Sequence, residues 1–443
     1  MAASLHFLPL GGTGEIGMNL NVYCHGSQLL VVDAGVMFER LQGGGTQIWM
    51  PDPTFLASRR EHIVGLVLTH THQDHLGAVA DLWPVLRCTV YATPFAAEML
   101  IGPLRERGLL GKVPVRVVPE VGHLVLGGFT LQRIPLTHST VEMGALVVRA
   151  AGRTVLHTGD FKLDDAPVAG LPLATDALRA LGELGIDGVV SDSTNADHEG
   201  WTGSEASVHE PLLQLIRDAP GRVAVTLFSS NIARVHTLAS IARQTGRDLM
   251  FVGRSLERTV EAARAVGYLD DLPARVPVRH FGFLPERRLL LICTGSQGEL
   301  RAGLSRIAAG EHPHIYLEAG DTVVFSARAI PGNELALQRL HMLLAERHVH
   351  VVQADEAGPQ VHVSGHPRRE ELRTLYRWTK PRWVLPVHGT PPKLEAHAQL
   401  AEEMGLLAVR ARNGHCVRLD DTPHLDQVVR TGRIARTPAP RRR

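Results

Sequence analysis

The sequence lacks three features that would assign a protein class at once: paired cysteines, a long apolar run and an excess of one charge. Its four cysteines lie far apart with no C-x-x-C pair, which argues against a disulfide framework and favours a reducing compartment. No run approaches about 18 apolar residues, and the first residues lack the basic start and apolar core of a signal peptide. We therefore expect no membrane span and a cytoplasmic location. The formal net charge of +1 identifies no polyanionic partner.

What remains is the composition of a soluble globular protein. The 443 residues, 44% apolar and 21% charged, are enough for two domains. The N-terminal third contains short β segments such as "QLLVVDAG" and "IVGLVLTH", separated by glycine-rich or polar turns. From about residue 204, apolar strands alternate with helix-period segments, which indicates a parallel α/β insertion. After about residue 356 the chain returns with "KPRWVLPVHGTP", a buried strand that ends in a histidine.

A glycine motif near the N-terminus invites a nucleotide-binding interpretation. Gly12, Gly14 and Gly17 fit the pattern G-x-G-x-x-G. In a dinucleotide-binding fold this loop follows a strand and opens a helix. Here the next segment, "MNLNVYCHGSQLLVVDAG", alternates as a β-hairpin does. We predict a tight glycine turn and no nucleotide site.

The segment "THTHQDH" concentrates metal-binding side chains between two apolar runs. His70 and His72 are two positions apart, so at a strand end both side chains point to the same side and can bind one ion. Asp74 and His75 would face a neighbouring position. Imidazole and carboxylate ligands suit zinc, with manganese or iron as alternatives. A solvated histidine-rich turn is the structural alternative, but the flanking apolar runs favour a metal site.

Further candidate ligands stand at the ends of other predicted strands. His138 ends "FTLQRIPLTH", Asp160 ends "GRTVLHTGD", and His388 follows "RWVLPV". Strand ends are where an α/β scaffold presents its functional residues. Each of the three could equally be a satisfied structural residue when taken alone. Together with the "THTHQDH" segment they complete two coordination sets.

The motifs as a set resemble the ribonuclease J family, in the β-CASP branch of the metallo-β-lactamase fold. The matching pieces occur in family order over residues 8–400 and include "LGGTGEIGMN", "THTHQDHLGAV", "HTGDFKLD", "SDSTNAD", "FSSNIAR", "TGSQGE", "HVSGH" and "PVHG". The resemblance implies an α/β fold, a metallo-β-lactamase αββα sandwich with an inserted α/β β-CASP domain. The sandwich would comprise residues 1–203 and 357–425, and the insertion residues 204–356. The basic stretch 426–443 we expect to be a disordered tail.

The resemblance also implies roles for particular residues. Two divalent ions, zinc in the first place and Mn²⁺ as the alternative, would share seven ligands: His70, His72, His138 and Asp160 for one ion, and Asp74, His75, Asp160 and His388 for the other. Asp33 would orient the ligand turn, with turn capping as its structural alternative. Asp192 would hydrogen-bond the catalytic His366; without the family pattern these two would be a strand-end cap and a loop histidine. Asp74 counts among the catalytic residues as well as the ligands.

The activity implied is a two-metal ribonuclease that leaves 5′-phosphate and 3′-hydroxyl ends, running 5′ to 3′ along single-stranded RNA with internal cleavage as a second mode. RNA is favoured over DNA because RNA-processing members of the branch keep a histidine at position 388. Candidates for contact with the substrate are the polar loop residues His362, Ser364, His366, Ser230 and Asn231. Polar residues are common in loops, so each of them could instead have no role in binding.

Three departures from the family pattern leave questions open. The loop after His138 reads "HSTVEMG", so Glu142 and Met143 could change the mode of cleavage. The family usually has a further C-terminal domain that contributes to self-association, so a homodimer is less assured here. The segment 41–51 has no sequence explanation. Two other functions stay open: hydrolysis of a small thioester or lactam on the same fold, and a non-catalytic RNA-binding subunit.

Overall fold

A computed structural model describes residues 4–41, 45–330, 332–354 and 359–437. The segment up to residue 192 contains the strands β1 (Leu5–Gly11), β2 (Leu20–His25), β3 (Gln28–Val32), β4 (Met37–Arg40), β5 (Thr46–Pro51), β6 (Ile63–Val67), β7 (Val90–Ala92), β8 (Val115–Val117), β9 (Gly122–Leu126), β10 (Phe129–Pro135), β11 (Gly144–Ala150), β12 (Arg153–His157) and β13 (Gly188–Asp192). The later strands are β14 (Val223–Thr226), β15 (Asp248–Val252), β16 (Leu289–Cys293), β17 (Thr322–Phe325), β18 (His350–Gln353), β19 (Trp383–Val387), β20 (Leu407–Ala408), β21 (His415–Arg418), β22 (His424–Val428) and β23 (Arg433–Ala435).

The α-helices are distributed between and after these strands. They are α1 (Thr54–Ala57), α2 (Gln73–Leu76), α3 (Val79–Leu86), α4 (Pro94–Glu106), α5 (Thr175–Leu184), α6 (His209–Asp218), α7 (Ile232–Thr245), α8 (Arg254–Ala265), α9 (Gly303–Ala308), α10 (Glu334–Glu346), α11 (Arg369–Thr379) and α12 (Pro391–Glu403). Short 3-10 helices cover Arg60–His62, Glu205–Val208, Val278–Phe283 and Glu286–Arg288. Within the described ranges, none of the helices has the length and apolar character needed to cross a membrane.

Two large mixed sheets face each other and are covered by helices on their outer sides. One has the strand order β22-β21-β1-β2-β3-β6-β7-β8 and the other β20-β19-β13-β12-β11-β10-β9. Because neighbouring residues of a strand point to opposite faces, Leu30 packs in the core between the sheets while Val31 packs toward α3 and α4. Trp383 of β19 is fully buried in the same central core. This is the αββα sandwich that the sequence predicts.

A third sheet, in the order β15-β16-β14-β17-β18, is parallel throughout. Its strands are apolar on both faces because helices cover both. Val225 and its neighbours pack with α6, α7 and α8, whereas Leu291 and its neighbours pack with α9 and α10. The sheet lies in the chain between β13 and β19, two adjacent parallel strands of the sandwich. It is therefore an insertion between two neighbouring strands, as the change of sequence pattern indicates.

The stretch 426–443 differs from the expected disordered tail over its described part. Residues 424–428 form β22, and Arg433–Ala435 pairs antiparallel with Trp49–Pro51 of β5. The guanidinium of Arg433 lies 4.5 Å from the centroid of the Trp49 ring. The prediction of disorder is wrong up to residue 437, because residues 433–435 pair with the edge of β5 and Arg433 packs on an aromatic ring. Residues 438–443 lie outside the described residues.

The strand directions gather the polar strand ends at one edge of the sandwich. Strands β12, β13 and β19 are parallel neighbours, so the residues that follow them, including Asp160 and His388, emerge at the same edge. In the facing sheet β3 and β6 are also parallel, which places Asp33 beside the start of the His70 turn. The glycine loop 11–17 leads into the antiparallel hairpin β2–β3 rather than into a helix, in agreement with the sequence prediction.

Candidate metal centre

The turn that carries the "THTHQDH" segment is fixed by one buried carboxylate. Asp33, which is fully buried at a φ of 64°, accepts hydrogen bonds from the Thr69 amide (2.8 Å) and the Thr69 hydroxyl (2.8 Å). It also accepts one from Nδ1 of His75 at 2.7 Å. A Cβ atom at Gly35 would lie 1.6 Å from the Asp74 carbonyl oxygen, so this approach requires glycine. Asp33 thus does more than cap its own turn, since it holds both ends of the ligand segment.

The structure brings all seven predicted ligands into two overlapping groups. Within each group the nitrogen and oxygen atoms lie within 4.8 Å of one another. One group is His70, His72, His138 and Asp160, and the other is Asp74, His75, Asp160 and His388. Asp160 therefore lies at the junction of the groups, where the sequence analysis expects the shared ligand.

The Asp160 carboxylate is buried, with imidazole nitrogens as its polar neighbours. The residue is 1% exposed, and neither oxygen has a hydrogen-bond partner in the described part of the chain. Its Oδ2 lies 3.1 Å from Nε2 of His75 and 3.6 Å from Nε2 of His388. Nε2 of His70 and of His388 are likewise buried and unpartnered. Burying so many polar atoms is unfavourable unless a cation satisfies them, so this donor set fits a metal centre.

The outer ring nitrogens of the histidines are held, so that the inner ones face Asp160. Nδ1 of His138 donates to the Gly365 carbonyl at 2.6 Å, and Nδ1 of His70 lies 3.0 Å from the Thr69 hydroxyl. His72 is reversed, because its Nδ1 is the nitrogen that lies 3.0 Å from Nε2 of His138. Such outer contacts fix the tautomer and the ring orientation of a ligand.

Burial and charge set the protonation states that a metal needs. Burial lowers the pKa of His70 and of His138 well below 6.5, and it lowers the pKa of His72 to about 4. These imidazoles are neutral at pH 7 and keep a free lone pair. Burial would raise the pKa of Asp160, but the positive charge of His388 and His75 outweighs burial and lowers it well below 3.8. Asp160 is therefore ionised.

The opposite balance applies to His75. Burial would lower its pKa, but the Asp160, Asp74 and Asp33 carboxylates together raise it well above 6.5. Three acidic neighbours around one histidine mark this half of the centre as strongly attractive to a cation.

The pair Asp192–His366 lies against the same centre. Nδ1 of His366 donates to Oδ2 of Asp192 at 2.8 Å, while Oδ1 of Asp192 accepts from the Thr194 amide (2.8 Å) and hydroxyl (2.7 Å). The His366 ring is stacked 5.8 Å from the His388 ring. Burial would lower the pKa of His366, but the Asp192 carboxylate outweighs it and raises the pKa to about 9. Asp192 and His366 are thus in the direct contact that the family resemblance implies.

The residues predicted to contact substrate fall into two groups. Ser364 and His362 belong to the segment that leads into His366. The Ser364 hydroxyl accepts a hydrogen bond from the side-chain Nδ2 of Asn195 at 2.9 Å. Nδ1 of His362 is buried and has no hydrogen-bond partner among the described residues, and burial lowers the pKa of His362 to about 3. Asn231 is 3% exposed and its Oδ1 caps α7, and Ser230 precedes it. Capping of α7 accounts for the position of the Asn231 side chain. Contact of Ser230 and Asn231 with substrate stays a prediction.

The loop after His138, where the sequence departs from the family pattern, folds inward. The Glu142 carboxylate accepts from the Phe95 amide at 2.7 Å, and burial raises the pKa of Glu142. Met143 is 3% exposed. Glu142 therefore contacts the start of α4, whereas Met143 packs against the second sheet with Leu136 and Phe161.

Several residues that support the centre escaped the sequence analysis. Gly365 is required because a Cβ atom there would lie 2.6 Å from Cε1 of His138. Arg133, 6% exposed within β10, donates to the carbonyls of Leu68 (3.0 Å) and Glu142 (3.2 Å) and so connects the two ligand loops. An arginine within a buried strand is a signal that the sequence did offer.

The segment 41–51 also acquires a role from its position. It is part of the hairpin β4–β5, and Arg40 in this hairpin donates to the carbonyls of Gln297 (3.2 Å) and Gly298 (2.8 Å) in the inserted sheet region. The hairpin therefore connects the sandwich with the insertion. The glycine run in "MFERLQGGGTQIWMP", with aromatic and β-branched residues near it, was the available signal of a turn; residues 42–44 lie outside the described residues.

Sequence comparisons match three regions of the chain. Residues 19–211 match the metallo-beta-lactamase superfamily, residues 220–343 the ribonuclease J beta-CASP domain, and residues 359–412 the Zn-dependent metallo-hydrolase RNA specificity domain. These matches confirm the predicted fold class.

Individual relatives agree with the domain matches. Ribonuclease J of Sinorhizobium meliloti is 42% identical over 434 residues, which is 95% of this chain and 76% of that protein. Ribonuclease J of Mycolicibacterium smegmatis is 39% identical over 94% of this chain and 75% of that protein. Ribonuclease J of Helicobacter pylori strain J99 is 35% identical over 91% of this chain, which spans only 58% of that protein.

A solved structure shares the fold at much lower sequence similarity. A protein of unknown function from Enterococcus faecalis V583 matches with a TM-score of 0.64 at 14% identity, covering 94% of this chain and 100% of that chain. At this identity the likeness concerns the fold alone. The domain matches and the 42% identical relative establish that the chain belongs to the ribonuclease J family, metal-dependent ribonucleases built from metallo-β-lactamase and β-CASP domains.

Proposed function

We propose that the chain is a two-metal ribonuclease that hydrolyses RNA phosphodiesters to 5′-phosphate and 3′-hydroxyl ends. It would act from 5′ to 3′ on single-stranded RNA, with internal cleavage as a second mode. The observation that carries the proposal is the buried Asp160 carboxylate, whose two unpartnered oxygens lie where two ligand groups overlap.

Two ions would be held by the residues of the two groups, with Asp160 common to both. Imidazole with carboxylate favours zinc, and Mn²⁺ is the alternative. When bound, the ions would lower the pKa of a water molecule to about 7 and act as Lewis acids toward the phosphoryl oxygens. Asp74, 28% exposed at its side chain, and His72 are the two half-buried members of the set.

His366 would serve as the general acid. Its Nδ1 is bonded to Asp192 at 2.8 Å, which leaves Nε2 free to donate a proton to the departing 3′-oxygen. The Asp192 carboxylate keeps His366 protonated, since the pKa of His366 is raised to about 9. The Thr194 amide and hydroxyl fix Asp192 in turn, so that its charge stays directed at the imidazole.

The terminal 5′-phosphate would bind beside His366, at His362 and Ser364. Both belong to the segment 361–366 that runs along the metal centre, and the buried Nδ1 of His362 is free for a partner. Ser230 and Asn231 would contact the RNA backbone farther away.

We also propose the boundaries 1–203 and 357–425 for the sandwich and 204–356 for the insertion, a cytoplasmic location, and a homodimer as a possible assembly.

The test compares RNAs that carry a 5′-monophosphate, a 5′-triphosphate or a 5′-hydroxyl group. We expect wild type to release mononucleotides from the monophosphate RNA and Asp74→Ala to release none. Asp270→Ala, which changes an exposed aspartate, is the matched control and should act as wild type. Equal activity of Asp74→Ala would remove Asp74 from the mechanism, and hydrolysis of a small thioester without RNA cleavage would replace the proposal altogether.

A further inference from the structure

The glycine loop 11–17 has no task in the function as proposed so far, although it lies against the metal centre. The His388 amide donates to the Gly12 carbonyl at 2.8 Å, and the Gly14 amide donates to the Gly389 carbonyl at 3.1 Å. Thr13 forms an isolated parallel bridge with Gly389. The loop therefore pairs with the backbone that carries His388, itself at a φ of 52°.

Asn19 follows this loop and reaches into the second ligand group. The residue is 3% exposed, and both polar atoms of its side-chain amide lie close to Nδ1 of His388, Nδ2 at 2.7 Å and Oδ1 at 3.0 Å. Its Nδ2 lies 3.1 Å from the Asp74 carbonyl oxygen and 3.0 Å from Nε2 of His75. The Asn19 backbone also bonds this region, because its amide donates to the Asp74 carbonyl at 2.9 Å. One amide thus contacts three residues of the second ligand group: Asp74, His75 and His388.

The loop is shaped to admit this amide. A Cβ atom at Gly12 would lie 2.1 Å from Oδ1 of Asn19, and Gly12 has a φ of 85°. Gly14 has a φ of 101°, but a Cβ atom there would meet nothing within 4 Å. The first glycine of the G-x-G-x-x-G pattern is therefore needed for space next to Asn19, whereas the second is needed only for its backbone conformation.

We propose that Asn19 is a positioning residue for the second metal ion, the one shared by Asp74, His75, Asp160 and His388. With Oδ1 of Asn19 turned to His388, the proton on Nδ1 of His388 is donated to this oxygen, and the tautomer so fixed leaves the buried Nε2 as the ligand atom. Nδ2 of Asn19 restrains the Asp74 backbone at the same time. The inference rests on the proposed two-metal function. Loss of such an outer contact typically weakens metal binding about 10–100-fold.

The experiment is a Mn²⁺ titration of the metal-stripped protein, followed by native mass spectrometry to count bound ions. We expect wild type to bind two ions and Asn19→Ala to bind the first ion as wild type does, with the second about 10–100-fold weaker. Asn21→Ala is the matched control, since Asn21 lies two residues farther along in β2, is equally buried, and has an Oδ1 with no hydrogen-bond partner in the described part of the chain. RNA cleavage by Asn19→Ala should recover as Mn²⁺ is raised.

Further variants separate a specific role from damage to the fold. Asn19→Asp keeps an acceptor for His388 and should bind the second ion more tightly than Asn19→Ala. Gly12→Ala should reproduce Asn19→Ala, whereas Gly14→Ala, with the same kind of backbone strain but free space, should keep both ions. Equal affinity for the second ion in Asn19→Ala and wild type would overturn the inference. Only one ion in wild type would instead overturn the two-metal proposal.

Discussion

Replacing Asp192 by asparagine should give a defect in RNA cleavage that grows with pH. The carboxylate bonded to His366 is the principal reason that the pKa of His366 is about 9. Asparagine removes the negative charge but preserves the size of the side chain. The pKa of His366 should then fall toward the ordinary histidine value of about 6.5.

The two pKa values fix the size of the effect. With a pKa of about 9, roughly nine-tenths of His366 is protonated at pH 8; with about 6.5, roughly one-thirtieth is. At pH 6, His366 is mostly protonated in both wild type and Asp192→Asn. A general acid works only in its protonated form. The ratio of wild-type to variant rate should therefore be small at pH 6 and about thirtyfold at pH 8.

The assay is single-turnover cleavage of 5′-monophosphate RNA between pH 6 and 9, at saturating metal and enzyme. His366→Ala should lose at least ~100-fold at every pH, and adding Asp192→Asn to it should cost nothing more. Asp197→Asn, a change five residues away that leaves the His366 contact intact, serves as the control. A defect of Asp192→Asn that is the same at pH 6 and pH 8 would refute the assignment of Asp192 as the residue that keeps His366 protonated.

Two further predictions concern stability. Arg234 is fully buried and donates to both oxygens of Glu205 (2.6 and 3.0 Å) and to the Val361 carbonyl (2.9 Å). Arg234→Met should lower the free energy of unfolding in urea by about 3–5 kcal/mol, because it leaves the Glu205 charge buried and unpaired. Adding Glu205→Leu should restore part of this loss, and no recovery in the double variant would contradict that explanation. Removing residues 431–443 uncovers the β5 edge, so limited proteolysis should cut the hairpin 37–51 several-fold faster while cleavage of the insertion is unchanged.

The sequence was sufficient for the elements whose signal is local. Alternating strands, helix-period segments and the change of pattern near residue 204 predicted the layers of the fold. The seven candidate ligands came from local signals, since four lie in the turn and short helix after β6 and the other three, His138, Asp160 and His388, follow apolar strands. Asp33 and Asp192 needed the family resemblance as well, since a single aspartate after a strand has many other uses.

The remaining features depend on contacts between distant segments, which no local pattern reveals. Asn19 and His388 are 369 positions apart, and nothing near Asn19 indicates that its amide meets a ligand. The strand at Arg433–Ala435 consists of exposed residues, so it forms only because β5 offers an unpaired edge. The basic composition of this C-terminal stretch led to a prediction of disorder because it gave no sign of a partner strand.

The segment 361–366 connects the insertion with the candidate metal centre. At one end the Val361 carbonyl is held by Arg234 of α7, in the inserted region. At the other end the Gly365 carbonyl accepts from Nδ1 of His138, a ligand of the first group. His366 follows at once, so a single stretch connects the insertion with both a ligand and the proposed general acid. We therefore predict that replacing Arg234, which holds the insertion end of this segment, lowers RNA cleavage through the positions of His138 and His366.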